Sequence, residues 1–242
     1  MYPVFALVLG LVLAGLPLKA TAQEPVDLQL VLSVDASGSV DEDEYRLQLG
    51  GIAAGFRDAE VQRAISDGTL GRIAVSLVVW ADALRPKAET VWFEIASPQD
   101  AEVFARTVEA MPRTVVGATG IGAGLAWSIR KLERNGYVSD RAVVDVSGDG
   151  RETTPRDYTV LIDQATAMAA ARNIVVNGLA ILSDEKDLDR WYEENVRVGP
   201  GSFVMVAVDF GAFAKAMRLK LIREIQPLEN FALRSRPAGI GP

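Results

Sequence analysis

The sequence predicts an α/β fold, a Rossmann-like, doubly wound and mostly parallel sheet flanked by helices. β-branched apolar runs alternate with stretches of helical periodicity along the chain, and the turns leaving those runs are short and polar. No internal repeat or long linker interrupts the alternation, so a single domain is expected.

Val26 to Val34 is a predominantly apolar run of the type a buried strand shows. Tyr45, Leu49, Ile52 and Phe56 then recur at helical spacing, and Gly71 to Asp82 is a second β-branched run. Glu89 to Ala96 reads as a third, edge strand, followed by a helix over about Pro98 to Ala110. Ile121, Leu125, Ile129 and Leu132 mark another helix, and Arg141 to Gly150 is a strand ending in a glycine turn. The pattern then predicts a helix over about Pro155 to Arg172 and a strand over Asn173 to Leu182. A short helix over Leu188 to Asn195, a strand over Gly201 to Asp209 and a last helix carrying Phe210, Phe213, Met217 and Leu221 complete the order.

Composition narrows the chemistry. With 49% hydrophobic and 24% charged residues, the 242-residue chain can bury a substantial core. It has no histidine and no cysteine. That removes serine–histidine and cysteine–histidine catalysis, thiolate and imidazole metal sites, and disulfides. Oxygen chemistry remains.

Residues 1–22 carry an apolar run from Val4 to Leu16, then Pro17 and small residues with Ala20 and Ala22 in an A-x-A pattern. This predicts a secretory signal peptide and a periplasmic or secreted protein. The segment lacks the usual positively charged start, which leaves a retained anchor as the alternative, although the run is short for a bilayer span. Removing the segment takes the formal net charge from −7 to −8, because Lys19 is its only charged residue. Nucleic acid and anionic membrane surfaces are then poor partners. The predicted domain covers residues 23–228, and the glycine- and proline-rich stretch 229–242 is a C-terminal tail.

In such sheets ligands bind beyond the carboxyl ends of the strands, where strand order reverses. Three short polar loops fall at suitable places: "DASGS" with Asp35, Ser37 and Ser39, "GATG" with Thr119, and "SGDG" with Asp149. Two carboxylates and three hydroxyls form a hard-oxygen set suited to Mg²⁺ or Mn²⁺ rather than zinc or copper. Neutral hydroxyl ligands leave much of the ion's charge uncancelled, so the site would attract a carboxylate.

"DASGS" resembles the D-x-S-x-S signature of von Willebrand factor A domains, and Thr119 and Asp149 stand where the metal-ion-dependent adhesion site of that family places its threonine and later aspartate. The resemblance covers about residues 26–224. "LVLSVDASGSVD" and "DVSGDG" also look like a bacterial exported branch of uncharacterised function. The resemblance implies that Ser37 and Ser39 bind metal directly and Thr119 directly or through water. Asp35 and Asp149 would act mainly through waters and by holding the hydroxyls, and a partner protein's carboxylate would fill the open position. Arg151 and Glu152 stand where such domains vary and are expected to affect ligand choice.

Each piece has a structural alternative. Ser37, Ser39 or Asp41 could cap the next helix, with Asp41 to Glu44 a first-turn acidic cluster; Thr119 could be a cap; Asp149 between two glycines makes a turn. The glycines of "GATGIGAG" miss the dinucleotide-binding spacing, and no phosphate-binding G-x-x-x-x-G-K-[ST] loop is present. Asp145, inside a strand pattern, needs a partner, expected to be an arginine or backbone donors. Trp80, Trp92 and Trp127 are expected in the core or half-buried.

The sequence therefore predicts an exported, non-enzymatic module that binds an acidic group of a protein or peptide through Mg²⁺. The alternative on the same fold is a metal-dependent hydrolase of phosphate-type substrates.

Overall fold

A computed structural model of the protein describes residues 23–154 and 159–226. In chain order its elements are β1 (Glu24–Pro25), β2 (Leu28–Asp35), α1 (Glu42–Arg57), α2 (Ala59–Ser66), β3 (Ile73–Trp80), β4 (Ala88–Glu89), β5 (Phe93–Ile95), α3 (Pro98–Glu109) and α4 (Ile121–Glu133). They continue with β6 (Tyr137–Val138), β7 (Ala142–Gly148), α5 (Ile162–Ala170), β8 (Val175–Ile181), α6 (Leu188–Asn195), β9 (Val204–Ala207), a 3-10 turn (Phe210–Ala212) and α7 (Phe213–Ile225).

The main sheet runs β4-β3-β2-β7-β8-β9, with β5 also paired to β3; β1 and β6 form a separate two-stranded ribbon. β2, β3, β7, β8 and β9 are parallel, while β4 and β5 lie antiparallel along β3. All eight residues of β2 and of β3 are buried, which is why both read as predominantly apolar runs. Side chains alternate between two cores. Leu28, Leu30, Leu32 and Val34 pack on one face with Tyr45, Ile52 and Phe56 of α1, Phe104 of α3 and Phe213 and Leu221 of α7. Val31 packs on the other with Ile121, Leu125 and Ile129 of α4, Ala165 of α5 and Tyr192 of α6. The architecture is the doubly wound α/β sandwich the alternation predicts. Among the described residues no helix is long and apolar enough to cross a membrane.

Besides the β1–β6 ribbon, which the sequence reading did not contain, three elements differ from it. The stretch read as one strand over Glu89 to Ala96 is two, because buried Thr90 takes over the ladder: its Oγ1 accepts from Leu77 N at 3.0 Å and its carbonyl from Ser76 Oγ at 3.1 Å. A helix, α2, follows α1 almost directly, since Asp58 closes the first and caps the second through Glu60 N and Val61 N. Helix α5 begins at Ile162 rather than near Pro155; residues 155–158 of the expected helix lie outside the described residues.

Candidate metal centre

The chain leaves β2 toward β3 on one side and later returns to β7 on the other, so the sheet reverses its order between β2 and β7. Loops leaving these two strands diverge and open a crevice. Asp35 is the last residue of β2, Asp149 follows the last residue of β7, and Thr119 lies two residues before α4.

The five predicted side chains meet there. Thr119 Oγ1 lies 3.3 Å from Ser37 Oγ, Ser37 Oγ 3.3 Å from Ser39 Oγ, and Ser39 Oγ donates to Asp149 Oδ1 at 2.8 Å. Asp35 Oδ1 accepts from Ser37 N at 2.7 Å, which folds the D-x-S turn back on its own carboxylate. Asp35 is 0% and Asp149 1% exposed, yet Asp35 Oδ2 and Asp149 Oδ2 have no hydrogen-bond partner.

Of the capping alternatives, the one for Asp41 and its acidic first turn holds, and those for Ser37, Ser39 and Thr119 do not. Asp41, not either serine, caps α1: its Oδ1 accepts from Asp43 N and Glu44 N, and Glu44 Oε2 accepts from Asp41 N in return. Helix α4 starts at Gly120 without a side-chain cap from Thr119. The turn reading of Asp149 leaves its buried Oδ2 unexplained.

Electrostatics make the pair of acids costly. Burial, and then the negative charge of Asp149, push the Asp35 carboxyl up to about 8, against the Ser37 hydrogen bonds. Burial likewise raises Asp149, opposed by its bond from Ser39. Two buried carboxylates with one orphaned oxygen each and three hydroxyls beside them fit a hard divalent cation, which would supply the missing positive charge. Among the described residues no group of three or more carboxylates, histidines or cysteines is set to hold a metal, so hydroxyls would have to complete any ligand set here.

Supporting residues escape sequence reading because they come from distant segments. The Arg113 guanidinium donates to the carbonyls of Ala36, Ser37 and Val40, and so pins the D-x-S-x-S loop. Buried Gln48 of α1 donates to Asp35 O at 3.0 Å, and Thr153 Oγ1 accepts from Thr119 N at 2.9 Å. Arg151 and Glu152 have internal work instead: Arg151 pairs with Glu185 and Asp187 at 2.7 and 2.8 Å, and Glu152 Oε2 accepts from Gly122 N at the start of α4. The glycines of "GATGIGAG" serve close packing: a methyl at Gly120, Gly122 or Gly124 would lie 2.8 Å from Ala81 O, 2.3 Å from Leu161 C or 2.5 Å from the Trp80 ring.

Asp145 lies outside the centre, and its partner is neither arginine nor backbone. Buried Lys220 reaches its Oδ1 at 2.7 Å and also contacts Glu224. Trp80 is core, with Nε1 donating to Ser33 Oγ at 2.9 Å, whereas Trp127 is on the surface and donates to Glu89.

A family model described as a protein of unknown function (DUF1194) matches residues 25–229. No curated protein matches the sequence. Solved structures share the fold at low identity. The vWF domain of the type V pili tip protein Mfa5 from Porphyromonas gingivalis aligns at 10% identity and TM-score 0.56, covering 89% of this chain and 98% of that one. The pilus adhesin SpaC from Lactobacillus rhamnosus GG aligns at 13% and 0.61, covering 84% of this chain and 31% of that one. Proximal thread matrix protein 1 from the mussel byssus, with a zinc-occupied MIDAS motif, aligns at 15% and 0.54, covering 82% and 45%. The chain thus spans about a third of the adhesin and under half of the byssus protein. Its fold is that of a von Willebrand factor A domain.

Proposed function

The chain belongs to the DUF1194 family of proteins of unknown function, and we propose that it is an exported binding module that takes an acidic group of a protein or peptide ligand through Mg²⁺ or Mn²⁺ held by Asp35, Ser37, Ser39, Thr119 and Asp149. One observation carries this reading: two buried carboxylate oxygens without partners lie among three hydroxyls in the crevice at the switch point. The similar pilus adhesin, pili tip protein and byssus matrix protein with a zinc-occupied MIDAS motif lend support to an adhesion-type role.

In this reading Ser37 and Ser39 are direct ligands and Thr119 a direct or water-mediated one. Asp35 and Asp149 hold the hydroxyls and the ion's waters. Mg²⁺ held there would keep water where the protein supplies few ligands, leaving positions that an incoming carboxylate could take. The ion would thereby provide local attraction that an exported chain of formal net charge −8, the −7 of the full sequence less Lys19, otherwise denies an acidic partner. No step in this role requires bond breaking, so the module acts as a binder and not as an enzyme.

Export rests on residues 1–22, which lie outside the described residues. The domain takes residues 23–228, and tail 229–242 also lies beyond the described segment. The protein then works in the periplasm or after secretion.

The test is a pull-down from the exported fraction with the protein as bait, in Mg²⁺ and in chelator, with Ser37→Ala as control. A partner retained only in Mg²⁺ and lost with Ser37→Ala supports the proposal. A partner held equally well in chelator refutes it.

A further inference from the structure

Beneath the centre lies a buried tyrosine that neither the D-x-S-x-S turn nor the threonine loop accounts for. Tyr192 of α6 is 0% exposed, and its hydroxyl has no hydrogen-bond partner. The sheet is shaped to admit it. A methyl at Gly178 of β8 would lie 2.7 Å from Tyr192 Cδ1, and a methyl at Gly148 of β7 would lie 2.8 Å from Tyr192 Oη. These glycines sit two register steps apart on paired strands, Val146 facing Gly178 and Gly148 facing Ala180. Together they form a slot that leads the ring across the sheet face to the carboxyl end of β7.

The same point above Gly148 is 2.9 Å from Asp35 Oδ2. The two orphaned oxygens, one on a neutral phenol and one on a carboxylate, thus flank a single backbone position from the same side. A phenol O–H is a donor and an ionised carboxylate oxygen only an acceptor. Burying both unpaired is costly, and pairing them removes both costs.

We infer that Tyr192 is a positioning residue of the centre, its Oη donating to Asp35 Oδ2 when the site holds a cation. This rests on the metal-binding reading above. Asp35 Oδ1 is already held by Ser37 N; with Oδ2 held by Tyr192 the carboxylate plane is fixed from both ends, and its orientation toward the hydroxyls and the ion's waters is set by the slot together with the loop. Partners that orient a metal centre's ligands change affinity by about 10- to 100-fold when removed.

The experiment is Mg²⁺ titration by calorimetry on the wild type and Tyr192→Phe, with thermal melts in Mg²⁺ and in chelator. Tyr192→Phe keeps the ring and deletes only the hydroxyl. It should weaken Mg²⁺ binding about 10-fold and shrink the rise in Tm caused by Mg²⁺, while the Tm in chelator stays at the wild-type value or rises. A purely structural hydroxyl would do the reverse, lowering the Tm in chelator and leaving affinity untouched. Mg²⁺ should also produce a tyrosine near-ultraviolet difference spectrum that is absent from Tyr192→Phe. Gly178→Ala, which crowds the ring without touching the loop, should likewise weaken Mg²⁺ binding. If the wild type binds Mg²⁺ and Tyr192→Phe binds it equally well with the same spectrum, the inference is overturned and the metal site stands. If the wild type binds neither Mg²⁺ nor Mn²⁺, the metal reading falls and the inference with it.

Discussion

Metal binding to this site should be steeply pH-dependent, and the structure sets the size of the effect. Burial and Asp149 push the Asp35 carboxyl from 3.8 up to about 8 in the metal-free protein. If only the ionised carboxylate supports the ion, apparent affinity follows the ionised fraction. That fraction is about half at pH 8 and about one hundredth at pH 6, so Mg²⁺ should bind roughly 50-fold more tightly at pH 8, with release of about one proton per ion at pH 6 and about half a proton at pH 8. The stability of the metal-free protein moves the other way. A raised carboxyl is protonated in the fold while ionised in the unfolded chain, so its contribution is intact below about pH 3.8 and is lost as pH rises toward 8. Between pH 6 and 8 the loss is at most about 3 kcal/mol, at about 1.4 kcal/mol per pH unit. Asp145, raised to about 7 by burial and by neighbouring Glu224, adds a metal-independent slope of the same sign. The quantity to read is therefore the Tm difference between Mg²⁺ and chelator, measured from pH 6 to 8 on the wild type and on Asp35→Asn. The difference should widen with pH in the wild type and vanish in the variant. A pH-independent difference, or binding in calorimetry buffers of different ionisation heat with no proton released, would refute the reasoning.

Other outcomes follow from the same structure. Lys220→Met strands the buried acids Asp145 and Glu224 and should cost about 3–5 kcal/mol in denaturant unfolding, whereas Asp145→Asn with Lys220→Met should recover part of it. Gly122→Ala places a methyl 2.3 Å from Leu161 C and should destabilise the fold by about 1–3 kcal/mol, read as a lower urea midpoint. Asp41→Ala removes the α1 cap and should cost about 1 kcal/mol without altering Mg²⁺ affinity; a loss of affinity would show that Asp41 contributes to the site. Mass analysis of the exported protein should find Gln23 as the first residue, and recovery of residues 1–22 in the membrane fraction would oppose cleavage.

The sequence displays the fold because strands buried on both faces are rich in apolar residues, and β2 and β3 are, with only Gln29, Ser33, Asp35 and Ser76 as polar exceptions. It displays the five crevice residues because each ends or follows a strand or precedes a helix, so chain position stands in for spatial position. Helix α6, Leu188–Asn195, falls where the alternation of strands and helices places a short helix. What it hides depends on contacts across long separations. Arg113 meets carbonyls 73 to 77 residues away, and the Asp145 partner Lys220 lies on the last helix, where nothing in the strand's own pattern points to it. Helix α2 carried a signal that periodicity alone passes over, Asp58 followed by Val61, Ala64 and Ile65. Tyr192 left only an indirect trace, in two glycines set on neighbouring strands.

The central claim is that Asp35, Ser37, Ser39, Thr119 and Asp149 together hold a divalent ion. The most direct measurement is calorimetric titration of Mg²⁺ at pH 8 into the wild type, Asp35→Ala and Asp149→Ala, each checked for native circular dichroism. The account predicts saturable binding by the wild type and heats indistinguishable from dilution for both variants; wild-type binding curves from the two variants would contradict it.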